Sequence, residues 1–341
     1  MSSTATVEHH AGIDLRALDA GLATILSVSE SGLRRSLLSG GLSQTTFRYD
    51  TDAGTSVIVR IPPAAGPLEP YDPVGEAALL TWLGERGIAV PAVVHVEPGA
   101  DMIGRPFVVT ELVRGHVVQD GAHGYGATDR MELARAYVEQ LAAVHRVHHE
   151  SKPASVLAWA PEKTPDGVLG RWNAALRSAA LDLPGYHRFL TDWLLERAPA
   201  DTESGAVVHG DYRLANVMLG AGNRVVAVLD WEEAGSGDPY FDLAWTLQGA
   251  DGPDDPVMGL APRAWFLERY GELTGRTVDP ARLAWWEIAA GWSKLSMEAK
   301  AVALIRDGVY SDLRPLLSCY LNRRLSLRSL EKVRRYEAVY A

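Results

Sequence analysis

Apolar and polar positions change their period several times along the chain, and the changes divide it into elements. Leu15, Leu18, Leu22 and Leu26 recur at helical spacing within 13–26, with Asp14 near the start. From Leu33 the period shortens, and two strands joined by a glycine loop are predicted across 37–47. Gly40 and Gly41 fall in that loop, and Ser43 follows closely. A turn at Asp52-Ala53-Gly54 leads to a third strand, in which Val57 and Val59 face one way and Ile58 and Arg60 the other. After a Pro-rich loop, a helix is predicted to begin near Asp72-Pro73. It runs through Glu76, Leu79, Leu80 and Leu83 to a stop at Gly87. Two more strands, 91–96 and 105–112, complete this part, the second carrying Glu111 near its end.

Beyond a polar linker at 119–129 the period is mainly helical. Helices are predicted over 130–150, twice within 154–204, and over 261–271, 280–305 and 312–333. One β-rich island interrupts them. Val207-Val208 is a buried strand that delivers His209-Gly210-Asp211 into a loop ending at Asn216. A hairpin turned at Ala221-Gly222-Asn223 then returns Asp230. Strands concentrated before residue 115 and helices after it give an α+β class. The chain divides into a helical cap (1–30), a strand-rich unit (31–115) and a mainly helical unit (116–341).

Composition narrows the partners. A net charge of −10 argues against nucleic acid and against an anionic membrane surface, both of which call for a basic face. Cys319 is the single cysteine, so no internal disulfide forms, which suits a reducing cytoplasm. Residues 1–30 lack the basic start and apolar core of a secretory signal, and no apolar run is long enough to span a bilayer. A cytoplasmic, soluble protein is expected. Oligomeric state is not legible.

The β-rich island carries the chemistry. Asn216 stands five residues after Asp211, and Asp230 closes the next strand. Phosphoryl transfer needs such a set: a carboxylate to accept the proton of an attacking hydroxyl, and hard oxygen ligands to hold Mg²⁺ against nucleotide phosphates. His145, His148 and His149 have metal-like spacing, but no nearby cysteine or paired carboxylate completes a site, and no metal is expected there.

The stretches from His209 to Asn216 and from Leu229 to Glu232 resemble the His-Gly-Asp-x-x-x-x-Asn and Leu-Asp-Trp-Glu motifs of the aminoglycoside phosphotransferase family. Gly237-Asp238-Pro239 with Asp242-Leu243-Ala244 is similar to a third. The resemblance implies a two-lobed protein-kinase-like fold, with a β-rich N-lobe and a mainly helical C-lobe. It implies ATP or GTP and Mg²⁺ as cofactors and a hydroxyl of a small molecule as acceptor. Asp211 would be the catalytic base, with Asn216 and Asp230 as metal ligands. His209 and Asp242 would be supporting residues, Asp242 by bonding backbone N–H groups of the catalytic loop. Gly40, Gly41 and Ser43 would form the phosphate loop, and Glu111 would lie at the hinge that meets the base.

The cation that grips phosphate is usually a strand lysine held by a helix glutamate. No lysine precedes Lys152, so Arg60 takes that post, with Glu76 as its partner. Glu233, Asp251, Asp254, Asp255, Glu287 and Glu298 are interspersed with tryptophans and show no convergence. A neutral or moderately apolar acceptor is therefore expected rather than a polycation. The rival readings are a nucleotide-binding kinase-like regulator without turnover, a protein kinase and a metal-dependent hydrolase.

Overall fold

A computed structural model describes residues 9–38, 44–119, 121–147, 156, 158–200, 205–321 and 324–341. Gly40, Gly41 and Ser43 of the expected phosphate loop lie outside these residues, as do His148 and His149.

Five strands form an antiparallel sheet: β1 (Leu33–Leu38), β2 (Thr45–Thr51), β3 (Ser56–Ile61), β4 (Val93–Glu97) and β5 (Phe107–Glu111), in the order β1-β2-β3-β5-β4. Strict alternation along β3 buries Val57, Val59 and Ile61 on one face and leaves Ile58 and Arg60 on the other. The buried face meets α1 (Leu15–Leu26), whose N-terminus is capped by Asp14 Oδ1 accepting from the amides of Arg16 and Ala17. Leu15, Leu18 and Leu22 pack with Phe47, Tyr49, Val59 and Val109 into a separate small core. Each buried aliphatic side chain contributes about 1.5–3 kcal/mol, so α1 is part of the sheet's own core.

On the other face lies α2 (Pro73–Gly84), begun by Pro73 in its first turn with Asp72 accepting from the Gly75 amide at 2.9 Å. Leu79, Leu80, Trp82 and Leu83 belong to the same continuous core as the C-terminal helices. One helix thus carries Glu76 toward the sheet and anchors it in the helical lobe.

The C-lobe is built from α3 (Ala127–His145), α4 (Pro165–Ser178), α5 (Gly185–Glu196), α6 (Tyr240–Thr246), α7 (Arg263–Thr274) and the long α8 (Pro280–Arg306). Short strands β6 (Glu162–Lys163), β7 (Ala206–Val208), β8 (Val217–Leu219), β9 (Val225–Val228) and β10 (Gly235–Gly237) carry the β-rich island. The two-lobed α+β architecture expected from the sequence is present. One helix differs: the single helix expected over 312–333 is instead α9 (Arg314–Leu321) and α10 (Leu325–Tyr340). Ser318 bonds Glu298, whereas Ser329 faces Gly291, so eleven residues (318 to 329) advance against seven on α8 (298 to 291). A straight antiparallel helix would advance equally on both, so the chain must break. No helix among the described residues is long and apolar enough to cross a membrane.

Candidate active site

β7, wholly buried, delivers His209-Gly210-Asp211, and β10 pairs antiparallel with it, Gly235 opposite Val208. Gly210 has φ +88, and a Cβ there would lie 2.2 Å from the Glu233 carbonyl oxygen, so only glycine fits. The loop is held from α6. Buried Asp242 accepts from the backbone amides of His209 (Oδ2, 2.6 Å) and Gly210 (Oδ1, 2.8 Å). Its Oδ2 also accepts from His145 Nε2 at 3.1 Å, and His145 Nδ1 meets the Tyr270 hydroxyl at 2.7 Å. Burial alone would raise the Asp242 carboxyl, but these donors and His145 hold it below the usual carboxylate range. His145 is thereby a prop for Asp242.

His209 is a scaffold. Its Nδ1 accepts from the Asp211 amide (3.1 Å) and its Nε2 donates to the Leu229 carbonyl (2.8 Å). It thus ties the Asp211 loop to the strand end before Asp230. Pro239 occupies the N-cap position of α6. Asp238 still accepts from the Tyr240 amide at 3.0 Å, and it is drawn into the core by Arg282 and the Trp286 indole N–H.

Asp211 receives three donors. Oδ2 accepts from Asn216 Nδ2 (2.8 Å) and Arg213 Nε (3.1 Å), and Oδ1 from Trp245 Nε1 (2.7 Å). The β8–β9 hairpin pairs Val217 with Val228, and the Leu229 amide donates to the Asn216 carbonyl at 2.8 Å. Asn216 and Asp230 therefore stand at the same end of the hairpin. Asn216 Nδ2 also donates to the Asp211 carbonyl (2.9 Å), which turns its Oδ1 away from these bonds. Asp230 sits at φ +66, a left-handed conformation rare for a side-chain-bearing residue and common at functional sites.

These oxygens fit Mg²⁺, which takes one or two carboxylates alongside phosphates. No group of three or more His, Cys, Asp or Glu with ligating geometry occurs among the described residues.

Arg60 closes the site from the sheet. Its Nη1 donates to Glu76 Oε1 (2.6 Å) and its Nη2 to Asp230 Oδ1 (2.8 Å), joining the lobes across the cleft. Burial works against the guanidinium charge, but Glu76, Asp230 and Glu232 outweigh it and hold its pKa above the ordinary value. Gln44, at the foot of the glycine loop, donates to Glu232 Oε2 at 2.7 Å and adds a second tie between the lobes. Glu111 is exposed at the end of β5, opposite Val57.

The acidic residues beyond the motif are largely engaged. Glu233 bonds Arg171 (2.7 Å) and Lys163 (3.2 Å), Glu287 bonds Arg263 (2.7 Å), and Asp251 pairs with Lys332 (2.5 Å). Burial would raise the Glu233 carboxyl, yet the two cations hold it down at about 2. Its stabilisation is thus present above the ordinary carboxylate range and is lost as pH falls toward about 2. Glu233→Ala would leave two cations buried without a counter-charge, so a loss of about 3–5 kcal/mol is expected. Denaturant unfolding checks this, and a loss within about 0.5 kcal/mol, as at an ordinary surface site, would show the cluster to be dispensable. A cleft of about 610 Å³ between α7, α8 and α10 contains none of Asp211, Asn216 or Asp230.

Trp245 and Gln44 are site residues that the sequence reading did not assign. Trp245 was legible in principle: it stands one turn after Asp242 and so shares its helix face. Gln44 carried no such signal.

Fold and site together define a phosphotransferase of the two-lobed kinase type. The family model "Phosphotransferase enzyme family" matches residues 35–286, and the chain belongs to that family. It is 30% identical to the aminoglycoside 3'-phosphotransferase of Streptomyces fradiae over 67% of this chain and 82% of that protein. It is 31% identical to acyl-CoA dehydrogenase family member 11 of Gallus gallus over 62% of this chain, but spans only 27% of that longer protein. Among solved structures, a Ralstonia eutropha protein described as an aminoglycoside phosphotransferase matches 95% of this chain and 99% of its own, with TM-score 0.73 and 22% identity. A ternary complex of aminoglycoside phosphotransferase APH(4)-Ia with AMP-PNP and hygromycin B matches 93% of this chain and 98% of its own, with TM-score 0.64 and 17% identity.

Proposed function

We propose that this small-molecule phosphotransferase moves the terminal phosphoryl group of ATP, with Mg²⁺, to a hydroxyl of its acceptor. The observation that supports the reading is a chain of contacts: Arg60, bonded to Glu76, reaches Asp230 across the cleft, and Asn216, at the same hairpin end as Asp230, bonds Asp211. Asp211 orients the acceptor hydroxyl and takes its proton, while Asn216 and Asp230 hold the metal. Bound Mg²⁺ supplies neutralisation of charge on the transferring phosphates. Arg60 grips phosphate, Glu76 aims Arg60, and the Gly40-Gly41 loop with Ser43 covers the nucleotide. Backbone groups near Glu111 meet the base. His209 and Asp242 keep the Asp211 loop in shape, so that catalysis is chiefly positioning and electrostatics. The nucleotide complex of the APH(4)-Ia neighbour supports the ATP assignment.

Screening hydroxylated metabolites and antibiotics for ADP release tests turnover, and ATP binding without phosphorylation of any acceptor would favour a regulator instead. Metal ligation is tested separately. Asp230→Ala is expected to weaken Mg²⁺-ATP binding more than Asn216→Ala does, because a carboxylate is the stronger hard-cation ligand. Unchanged Mg²⁺-ATP affinity of Asp230→Ala by calorimetry would place the metal elsewhere.

A further inference from the structure

The Asp211 carboxylate is aimed by the groups that bond it. The torsion that turns a carboxylate on its own stem is broad and two-fold, and fixes no orientation by itself. Its two oxygens together offer about four acceptor sites. Oδ2 takes two donors, Asn216 Nδ2 at 2.8 Å and Arg213 Nε at 3.1 Å, and Oδ1 takes one, Trp245 Nε1 at 2.7 Å. One site is therefore open, and it lies on Oδ1 beside the indole. The Asp211 side chain is 24% exposed, enough for a hydroxyl to reach it.

The three donors are not equally firm. Arg213 is half-exposed, so water competes for its bond. Asn216 is buried, but it holds the other oxygen. Trp245 is fixed from behind. Its ring lies parallel to Phe241 (centroids 5.8 Å apart, 11° between planes), and Phe241 meets Trp286 of α8 edge-on at 5.7 Å. Lys163 Nζ lies 4.7 Å over the Phe241 ring. Phe241 and Trp286 are both buried in the main core. Aromatic pairs of this kind contribute about 0.5–1.5 kcal/mol each beyond their burial, so the indole N–H is a fixed point against which Oδ1 is set.

We infer that Trp245 is the positioning residue of the catalytic base: its indole N–H turns the Asp211 carboxylate so that the open site on Oδ1 receives the acceptor hydroxyl. The inference rests on the phosphotransferase reading and deepens it by naming the oxygen that takes the proton. As the acceptor oxygen bonds phosphorus, its proton passes to Asp211 Oδ1 and the bond to the departing ADP breaks. Among the described residues Oδ1 has no second donor. Without the indole N–H, the carboxylate is free to turn while Asn216 keeps Oδ2. A misplacement of about 1 Å costs about 10²-fold in rate. Nucleotide binding does not pass through Trp245, so its affinity is spared.

The test compares the full chain with Trp245→Phe, which keeps an aromatic ring against Phe241 and removes the N–H. Trp245→His is the rescue, since its Nε2 falls where the indole Nε1 stood when the five-membered rings overlay. Benzothienylalanine in place of Trp245, with sulfur for the N–H, keeps the stack should either variant fold poorly. ADP release from Mg²⁺-ATP is read with water, with glycerol and with any acceptor found by screening. Trp245→Phe is expected to lower kcat by about 10–100-fold with KM for ATP within about twofold. Benzothienylalanine should match it, and Trp245→His should recover part. A second readout needs no turnover. In ¹H–¹⁵N spectra the Trp245 indole resonance is expected to move in Asp211→Asn. The Asn216 side-chain amide and Arg213 Nε–H resonances are expected to move in the benzothienylalanine chain, because the carboxylate they share has turned under a nearly unchanged ring. Parental kcat in Trp245→Phe or the benzothienylalanine chain, an effect confined to KM, a Trp245→His chain no faster than Trp245→Phe, or resonances that stay in place would each overturn the inference. A parent chain that releases no ADP across the whole screen would count against the phosphotransferase reading alone, and the spectra would still decide this one.

Discussion

Asp211→Asn is expected to lower kcat by about 10²–10⁴-fold while leaving Mg²⁺-ATP affinity nearly intact. The change keeps the shape of the side chain and removes the proton acceptor. It also has a structural signature. The Asp211 carboxylate accepts from Trp245 Nε1, Asn216 Nδ2 and Arg213 Nε, whereas an amide presents an N–H₂ group to one of these donors. Either oxygen can be replaced without unfolding the loop, because its backbone is held by Asp242 and not by Asp211 itself. The variant should therefore keep the Tm of the parent chain. Steady-state kinetics with any confirmed acceptor, together with calorimetry of Mg²⁺-ATP, checks both halves. Turnover within tenfold of the parent chain would remove Asp211 from the base position.

Arg60→Ala is the second large effect, and it should strike nucleotide binding and turnover together. Charge-assisted hydrogen bonds to phosphate contribute about 1.5–3 kcal/mol each, so a loss of about 10–100-fold in ATP affinity is expected. Arg60→Lys should recover only part, since a point charge cannot replace a fork that reaches Glu76 and Asp230 at once. Glu76→Ala should act in the same direction but more weakly, because Asp230 still holds the guanidinium. The double variant Arg60→Ala/Glu76→Ala is then expected to fall short of additivity by about 0.5–3 kcal/mol. Fully additive losses across that cycle would mean that the observed pair does not work as a unit. Arg60→Ala also leaves Glu76 buried without its cation, so thermal unfolding of each variant is needed beside the affinities.

Much of this site was legible from short stretches of chain. The five-residue step from Asp211 to Asn216, the hairpin that returns Asp230, and the alternation that turns Arg60 away from Val57 and Val59 are all local. So are the Asp14 cap of α1 and the Pro73 start of α2. Each follows from nearest-neighbour geometry, a period of two or of 3.6 residues, or a side chain that caps its own turn. The Arg60–Glu76 pair was reached by exclusion of lysine. The break between α9 and α10 was not legible, since the apolar spacing of 312–333 satisfies one helix as well as two. Their different seats on α8 select the pair.

By itself, then, the sequence determined most of the elements, the motif spacing and the face on which Arg60 stands, because those depend on a few neighbouring residues. Only the tertiary structure decided which distant groups meet. It brought Arg60 to Asp230 across 170 residues and Trp245 to Asp211 across 34. It put α2 into the core of the helical lobe and engaged Glu233, Glu287 and Asp251 with cations. Such pairings are set by how whole surfaces pack and by which charges lose their water when they do. No period or spacing along the chain records that.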